Sequence, residues 1–274
     1  MMREGVFKMN SQEKNSSKPS GYLSMVALFS RPRPQRLAIV VLLTLLGAGG
    51  SLFAQKVRLG VHGGLCIPNI RGGTTEQSKG YTSRLGPYFG FFADFALGTH
   101  LSMSTEMNYA SQGGKRDGMQ PVSVAEMPGV PLYANFHNET ILDYLEIPLM
   151  VKLAYGQRLR FFAGAGPYVG IRLKARTVTS GSSLLYLDPS GIPLASELIS
   201  FEGDTGICSE IHRLNAGISG GVGLEAPFGP GDMILDFRFS MGLTNIQTHP
   251  ETSGKNHTGA VIVSLGYGFA LRRK

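Results

Sequence analysis

The chain has 274 residues and a formal net charge of +7, with 16% charged residues, 37 glycines, two cysteines and no tryptophan. These proportions exclude a disordered tail, a collagen-like repeat and a small disulfide-stapled domain. Residues 1–54 hold seven Lys or Arg against two acids, so the remainder carries 19 basic and 17 acidic residues. Because the basic excess lies at the N terminus, we expect no nucleic-acid partner.

Residues 1–54 are predicted to be an N-terminal extension and signal peptide. Basic RPRPQR precedes the apolar run LAIVVLLTLL at 37–46, and small-residue GAGGSLFA follows it, which is the order of a secretory signal. The apolar run is too short to cross a bilayer as a helix. We expect translation to start at Met25 and cleavage to follow Ala54, which leaves an exported domain over 55–274.

The exported domain alternates apolar residues with small or polar ones. The alternating runs span 57–65, 85–97, 101–109, 144–155, 159–174, 214–226, 233–243 and 259–271. Most are longer than typical soluble strands and long enough to cross a bilayer as tilted strands. Short connections at 98–100, 156–158 and 227–232 alternate with long ones at 66–83, 112–143, 175–212 and 246–257.

This pattern predicts an all-β fold, an eight-stranded antiparallel up-and-down transmembrane barrel with short periplasmic turns and long extracellular loops. The predicted location is the cell outer membrane, in contact with its lipid. A soluble sandwich is the alternative, but its core would have to bury eight faces as apolar as Phe89, Phe91 and Phe95. A closed barrel satisfies every backbone polar group in lipid without leaving an edge.

Three segments resemble a known family. They are YLEIPLMVK at 144–152, AGAGPYVG at 163–170 and SLGYGFAL at 264–271. Together they resemble the PorT-like outer-membrane β-barrel family of Bacteroidetes-type bacteria, over essentially all of 55–271. The resemblance implies an eight-stranded outer-membrane barrel in a Gram-negative cell and no single activity. The family's namesake is linked to type IX protein secretion.

The last run carries a second pattern, which resembles the assembly signal that the barrel-assembly machinery recognises. Its positions are filled by Ser264, Gly266, Phe269 and Leu271, and a basic tail at 272–274 follows. The alternative interpretation is a plain lipid-facing last strand, and both can hold together.

Charged residues at inward-facing positions have nearly balanced signs, which favours a paired network that fills the lumen over a selective pore. The predicted lumen network comprises Asp94, Glu106, Glu146, Lys152, Arg160, Arg172, Glu225, Asp236 and Arg238. Arg58 and Lys174 fall at inward positions as well. Inward glycines are expected to make room for side chains such as Tyr168. Because no helix is predicted after the glycine clusters, they indicate no nucleotide site, and we predict no cofactor or metal.

Four histidines and four acids map to the long-loop end. They are His137, His212, His249, His257, Glu139, Asp143, Asp204 and Glu210. They permit an alternative function as a rim hydrolase or acyltransferase, although the histidines lack metal-ligand spacing. GISGG at 217–221 fits Gly-x-Ser-x-Gly, but its strand continues, whereas a nucleophile elbow turns into a helix. Whether Cys66 and Cys208 pair is left open.

Two long loops are unusually apolar for exposed segments. In the third long loop, a turn at 188–191 predicts a β-hairpin within the apolar stretch 184–201. Such loops either cover the barrel mouth and each other or form a surface for a partner or ligand. The predicted function is non-catalytic surface binding or scaffolding, within a protein-secretion system or outside one.

Overall fold

A computed structural model describes residues 56–271, with gaps at 74, 76–77, 123–129, 131, 192 and 195. The predicted signal peptide, start site and cleavage site lie outside the described residues. Among the helices of the described part, none has the length and apolar character needed to cross a membrane.

Eight long antiparallel strands form a closed ring. They are β1 (Val57–Gly72), β2 (Gly86–Ala96), β3 (Leu101–Val122), β4 (Leu132–Gly156), β5 (Arg160–Ser180), β9 (Leu214–Phe228), β10 (Gly231–Gly242) and β11 (Asn256–Leu271). The connections contain β6 (Ser182–Ser183), β7 (Ile199–Ser200), β8 (Gly203–Gly206) and one helical turn, α1 (Pro250–Ser253). The ring order is β1, β2, β3, β4, β5, β9, β10 and β11, and β11 pairs back with β1. The predicted eight-stranded barrel is confirmed.

The outer wall of the ring is apolar, as a lipid environment requires. Phe91 on β2 is 67% exposed, Phe161 on β5 60% and Val222 on β9 58%. The residues between them along each strand point inward and are largely buried. Period-two alternation therefore separates a lipid-facing surface from a filled interior.

Three strands extend well past the membrane on the long-loop side. β3, β4 and β5 have 22, 25 and 21 residues, about ten more than a tilted strand needs to cross the bilayer. Much of 112–143, which was expected to be loop, is paired strand: the register of β3 and β4 continues to Val122 opposite Leu132. That expectation was wrong because lipid imposes alternation only inside the membrane, so the emergent strands lack the pattern. We call the emergent parts of β3, β4 and β5 the extracellular sheet.

A bulge on β5 reverses the facing of one predicted inward charge. Asp143 pairs with Lys174 while Tyr144 pairs with Arg172, so Leu173 is the extra residue. Leu173 and Lys174 are both exposed, and Ala175 is buried. One inserted residue exchanges the two faces of a strand. Lys174 therefore does not reach the lumen, contrary to the alternation-based prediction.

Glycines make room for aromatic rings inside the barrel. A Cβ at Gly217 would lie 2.6 Å from the ring of Tyr168, and one at Gly60 would overlap the ring of Phe92. Tyr168 and Phe92 are buried. Phe92 occupies an inward position next to the lipid-facing Phe91, as period-two alternation requires. These contacts explain why so many inward residues have no side chain.

Candidate functional site

The centre of the lumen is occupied by a buried guanidinium. Arg238 on β10 lies 2.6 and 3.0 Å from the two carboxylate oxygens of Glu106 on β3, and 2.6 Å from Asp236. It also donates to the hydroxyl of Tyr88 at 3.2 Å. Asn108 donates to the same hydroxyl at 2.6 Å and to Glu106 at 2.9 Å. The guanidinium is therefore paired with two carboxylates and held by the polar groups around it.

An ammonium group extends this cluster toward the short-turn end. Lys152 Nζ on β4 lies 3.3 Å from Asp94 and 3.8 Å from Glu106. It also lies 5.7 Å from the ring centroid of Phe92 and 5.6 Å from that of Phe162. Both rings are buried in one apolar cluster. The ammonium is thus enclosed by two carboxylates and two aromatic faces.

Arg58 on β1 joins the two sides of the barrel. Its guanidinium lies 2.6 Å from Asp94 and 2.5 Å from Glu225 on β9. It lies 3.3 Å from Asp232, while Arg160 approaches Glu225 at 3.4 Å. Because Arg58 and Lys152 share Asp94, these contacts connect with those of Arg238 into one network across the lumen. Arg58 is central to it.

The structure brings together seven of the nine residues predicted to pair in the lumen. They are Asp94, Glu106, Lys152, Arg160, Glu225, Asp236 and Arg238. Glu146 is buried but accepts a hydrogen bond from Gln112 at 2.6 Å, and no ion pair is found for it among the described residues. Arg172 donates to the backbone carbonyls of Cys208 and Ile211 at the mouth. These two side chains therefore lie outside the ion-pair network.

The long-loop end of the lumen is closed by apolar side chains. Ile207, Ile211 and Ile246 come from two loops and pack on the buried inward residues Leu142 and Tyr144. The two loops are joined by a backbone hydrogen bond from His212 to Ile246 at 2.8 Å. We call these three isoleucines the mouth plug. Sequence analysis did not single them out, because their partners are distant in the chain.

A hairpin in the third long loop packs against the extracellular sheet. We call residues 181–202 the outer hairpin. At the predicted turn, 188–191, the Ser190 backbone N–H donates to the Asp188 carboxylate at 2.8 Å. Leu185 is buried against Leu132 and Ala134 of β4. Other apolar residues of the hairpin, such as Leu198, stay exposed. A partner surface on this loop stays a prediction.

Most acids of the long-loop end are engaged by nearby groups. Arg84 Nε lies 2.6 Å from Glu139, the Ser111 hydroxyl donates to Asp143 at 2.8 Å, and Arg176 lies 2.6 Å from Asp204. No group of three or more His, Cys, Asp or Glu side chains within the described ranges is arranged to hold a metal.

One histidine contacts an acid on the extracellular sheet. His137 on β4 contacts the carboxylate of Asp117 on β3 through Nδ1. This contact holds the pKa of Asp117 below its usual range. Elsewhere on the loops His249 lies 3.5 Å from Glu251. The predicted loop histidines are therefore dispersed and do not converge on one centre.

Two further alternatives from the sequence are resolved by the structure. Cys66 and Cys208 are both free; Cys66 is buried in the barrel and Cys208 is exposed. The sequence 217–221 lies within β9, which continues to Phe228, so no nucleophile elbow is formed.

A closed ring of eight strands with an apolar wall and a paired polar interior defines a transmembrane β-barrel of the outer-membrane type. The family model described as outer membrane protein beta-barrel domain matches residues 53–247, and the chain belongs to this family. It therefore resides in the outer membrane, in contact with lipid, as predicted. The comparison with curated proteins finds no match.

Several solved outer-membrane proteins are similar to this chain. Ail, the attachment invasion locus protein of Yersinia pestis, has 10% identity and a TM-score of 0.36, covering 77% of this chain and 98% of that one. Neisserial surface protein A has 10% identity and a TM-score of 0.33, covering 76% and 95%. The outer membrane protease OmpT of Escherichia coli has 10% identity and a TM-score of 0.32, covering 79% and 97%. At these values no functional property is transferred to this chain.

Proposed function

We propose that this barrel is a non-catalytic surface protein that binds or scaffolds other proteins through its extracellular sheet and outer hairpin. The observation that carries the proposal is the contrast between the two ends of the molecule. The lumen is occupied by paired charges and closed by the mouth plug. By contrast, three strands continue outside the membrane and form the extracellular sheet. A rigid scaffold that presents loops is a common arrangement for binding.

The occupied lumen argues against a diffusion channel. An eight-stranded barrel has just enough interior for its own side chains. Here Arg238 and Glu106, each 4% exposed, are paired inside that interior at 2.6 Å. A channel for ions would need an open path lined by one dominant sign of charge. The lumen network therefore serves stability rather than transport.

Membership of the PorT-like group, and a place in a secretion system, belong to the same proposal. The Tyr-Leu-Glu-Ile-Pro segment at 144–148 on β4 supports the membership. The secretion role rests on the link of that family's namesake to secretion. A scaffolding barrel of a secretion machine would contact other subunits outside its lumen, which agrees with a closed interior.

Recognition by the barrel-assembly machinery is part of the proposal as well. Its basis is the pattern on β11, the last strand of the ring. Phe269 and Leu271 are 46% and 50% exposed toward lipid, while Ser264 is buried and Gly266 lies against His62.

The test is purification of the tagged barrel from native outer membranes, with and without the outer hairpin. The variant replaces 184–199 with a Gly-Ser turn, which leaves all eight ring strands intact. We expect specific proteins to co-purify with the full chain and to be lost from the variant, while heat-modifiable gel mobility is retained. If no protein co-purifies with the full chain, the binding role is wrong. If the variant retains all of the co-purifying proteins, the outer hairpin is not the binding surface.

A rim hydrolase is the second candidate, and one observation favours it. Asp117, His137 and Ser180 occupy directly opposed positions on β3, β4 and β5, and opposed residues of neighbouring strands share a face. An acid, an imidazole and a hydroxyl in one row are the groups of nucleophilic catalysis. Ester and peptide hydrolysis by purified barrel should be lost in His137→Ala if this function is real. Equal rates for wild type and variant exclude it.

A further inference from the structure

We propose that Arg71 and His257, at the extracellular end of the β1–β11 pair, bind the phosphate group of a lipid in the outer leaflet of the membrane. The site lies on the outer wall of the barrel, on other strands than the outer hairpin, which packs against β4. It is therefore independent of the proposed protein-binding function.

The register of β1 and β11 places the two side chains on the lipid-facing side. Arg71 opposes His257, and Ile67 opposes Val261 four residues nearer to the membrane. Residues four apart on a strand share a face. Ile67 and Val261 are 39% and 46% exposed, whereas Ile70 is buried inside. Arg71 and His257 therefore stand on the outer wall, directly above the last apolar pair.

The height of this pair matches the polar boundary of the bilayer. Four residues span about 13 Å of strand, or about 9 Å of height at a tilt of about 45°. The head-group layer of a bilayer is roughly 5–8 Å thick on each side. A side chain of Arg71 that reaches back toward Ile67 therefore enters this layer.

The side chain of Arg71 does reach back in this way. A Cβ at Gly259 would lie 2.6 Å from Arg71 Nε and 3.3 Å from Arg71 Cζ. Gly259 opposes Asn69, one outward position nearer to the apolar wall, and it is buried. Basic side chains beside apolar surface ordinarily extend their charge toward water. The guanidinium of Arg71 instead lies along the wall, where it favours an anion at the membrane boundary.

The described residues provide no carboxylate for this guanidinium. Over the described part of the chain Arg71 makes no ion pair, and its hydrogen bond runs from Nη2 to the Thr258 carbonyl at 3.5 Å. Its Nε is shielded from water and has no partner there. Arg58 and Arg238, by contrast, are paired with carboxylates. A guanidinium without an acid matches a phosphate, which it contacts through two N–H groups.

The neighbouring groups complete a site for a phosphate. His257 is partly exposed, and its Nδ1 would lie 3.5 Å from a Cβ at Gly72, next to Arg71. Lys255 is exposed at the preceding position of the same parity. Its carbonyl accepts the Gly73 backbone N–H at 2.9 Å, which joins the two loops at this rim. An imidazole and an ammonium thus accompany the guanidinium.

The apolar wall below the site selects a lipid over free phosphate. Phe239 on β10 opposes Val261 and is 46% exposed, so it extends the apolar surface of Ile67 and Val261. A lipid contacts this surface with its acyl chains and the guanidinium with its head group. Free phosphate would use the upper part of the site alone.

The test counts lipids bound to the barrel by native mass spectrometry in uncharged detergent micelles. The probe is lipid A that carries its phosphates, and the matched probe is the same lipid after removal of the phosphates. Inorganic phosphate is added in a third series as a competitor. Heat-modifiable mobility verifies that each variant is folded.

We expect the phosphorylated lipid to bind more tightly than the dephosphorylated one. Arg71→Gln should weaken its binding about fivefold, the effect of one basic residue beside an anionic head group, and adding His257→Ala should weaken it further. Gly259→Ala should also weaken it without a change in charge, because the added methyl takes the place of the guanidinium. The matched control is Arg158→Gln, which neutralises an exposed arginine in a short turn and should leave binding unchanged.

Several results would overturn the proposal. Equal binding of the two lipids would remove phosphate recognition, and equal losses in Arg71→Gln and Arg158→Gln would leave net charge as the cause. Displacement of the lipid by inorganic phosphate at equal concentration would assign the site to free phosphate. Full binding by Gly259→Ala would show that the position of the guanidinium is immaterial. If that variant does not fold, Arg71→Lys replaces it, because lysine keeps the charge and loses the two-pronged contact.

Discussion

Replacing Arg238 with methionine tests whether the lumen network holds the barrel together. The substitution removes three close contacts to carboxylates, at 2.6 and 3.0 Å to Glu106 and 2.6 Å to Asp236. Glu106 keeps Asn108 and the more distant Lys152, whereas Asp236 loses the cation that it contacts. Breaking a buried pair in this way costs about 3–5 kcal/mol, because a charge is left without compensation in a low-dielectric interior.

The matched control is Arg160→Met. Arg160 belongs to the same network, but its side chain is 37% exposed and its single contact to Glu225 is 3.4 Å long. Such a pair contributes about 0–1 kcal/mol. Adding Glu106→Gln to Arg238→Met should recover part of the lost stability, because one uncompensated anion is then removed.

The assay is urea unfolding of the barrel in lipid. The chain has no tryptophan, so the folded fraction is followed by heat-modifiable gel mobility and by circular dichroism. We expect the midpoint to fall strongly for Arg238→Met and little for Arg160→Met. The reasoning is refuted if the free energies of unfolding of both variants lie within about 1 kcal/mol of the wild-type value.

Three further outcomes are expected. Gly60→Ala should lower the free energy of unfolding in urea by about 1–3 kcal/mol, because the added methyl overlaps the inward ring of Phe92. The control is Gly98→Ala, because a Cβ at Gly98 meets nothing within 4 Å. Equal effects of the two substitutions would refute the packing argument. Phe269→Asp with Leu271→Asp should leave the chain in the periplasm, since a charge facing lipid is costly; normal outer-membrane levels in fractionated cells would contradict this. The contact with His137 lowers the pKa of Asp117. The contact therefore stabilises the fold at pH values above the usual carboxyl pKa, and this stabilisation is lost as the pH falls through the lowered pKa. An ordinary pKa of Asp117, measured by NMR of its carboxyl group, would disprove the contact.

The membrane-embedded part of the fold could be predicted from the sequence because lipid acts on every strand in the same way. Residues at lipid-facing positions, such as Phe91 and Phe161, must be apolar, so alternation reveals both the strand and its facing. The same parity predicts which charges point inward. Which of them pair is decided by strand tilt and register. Arg58 and Glu225, for example, are 167 positions apart yet meet at 2.5 Å.

Outside the membrane no strand face has to be apolar for contact with lipid, so the sequence patterns become weaker. The bulge at Leu173 exchanges the two faces of β5 without any marker in the sequence, and it misplaces Lys174. The part of β3 beyond Gln112 and the part of β4 that pairs with it carry polar residues on both faces. Their sequences therefore do not alternate between apolar and polar residues. Ile211 and Ile246 close the mouth through contacts between distant loops, which a local pattern does not show.

The most direct test of the account is the conductance of the purified barrel in planar lipid bilayers. Paired charges around Arg238 occupy the lumen and the mouth plug closes it, which is why we place the function on the outer surface. We predict no steady ion conductance for the wild-type barrel across a range of voltages. A reproducible open channel of porin size would contradict it.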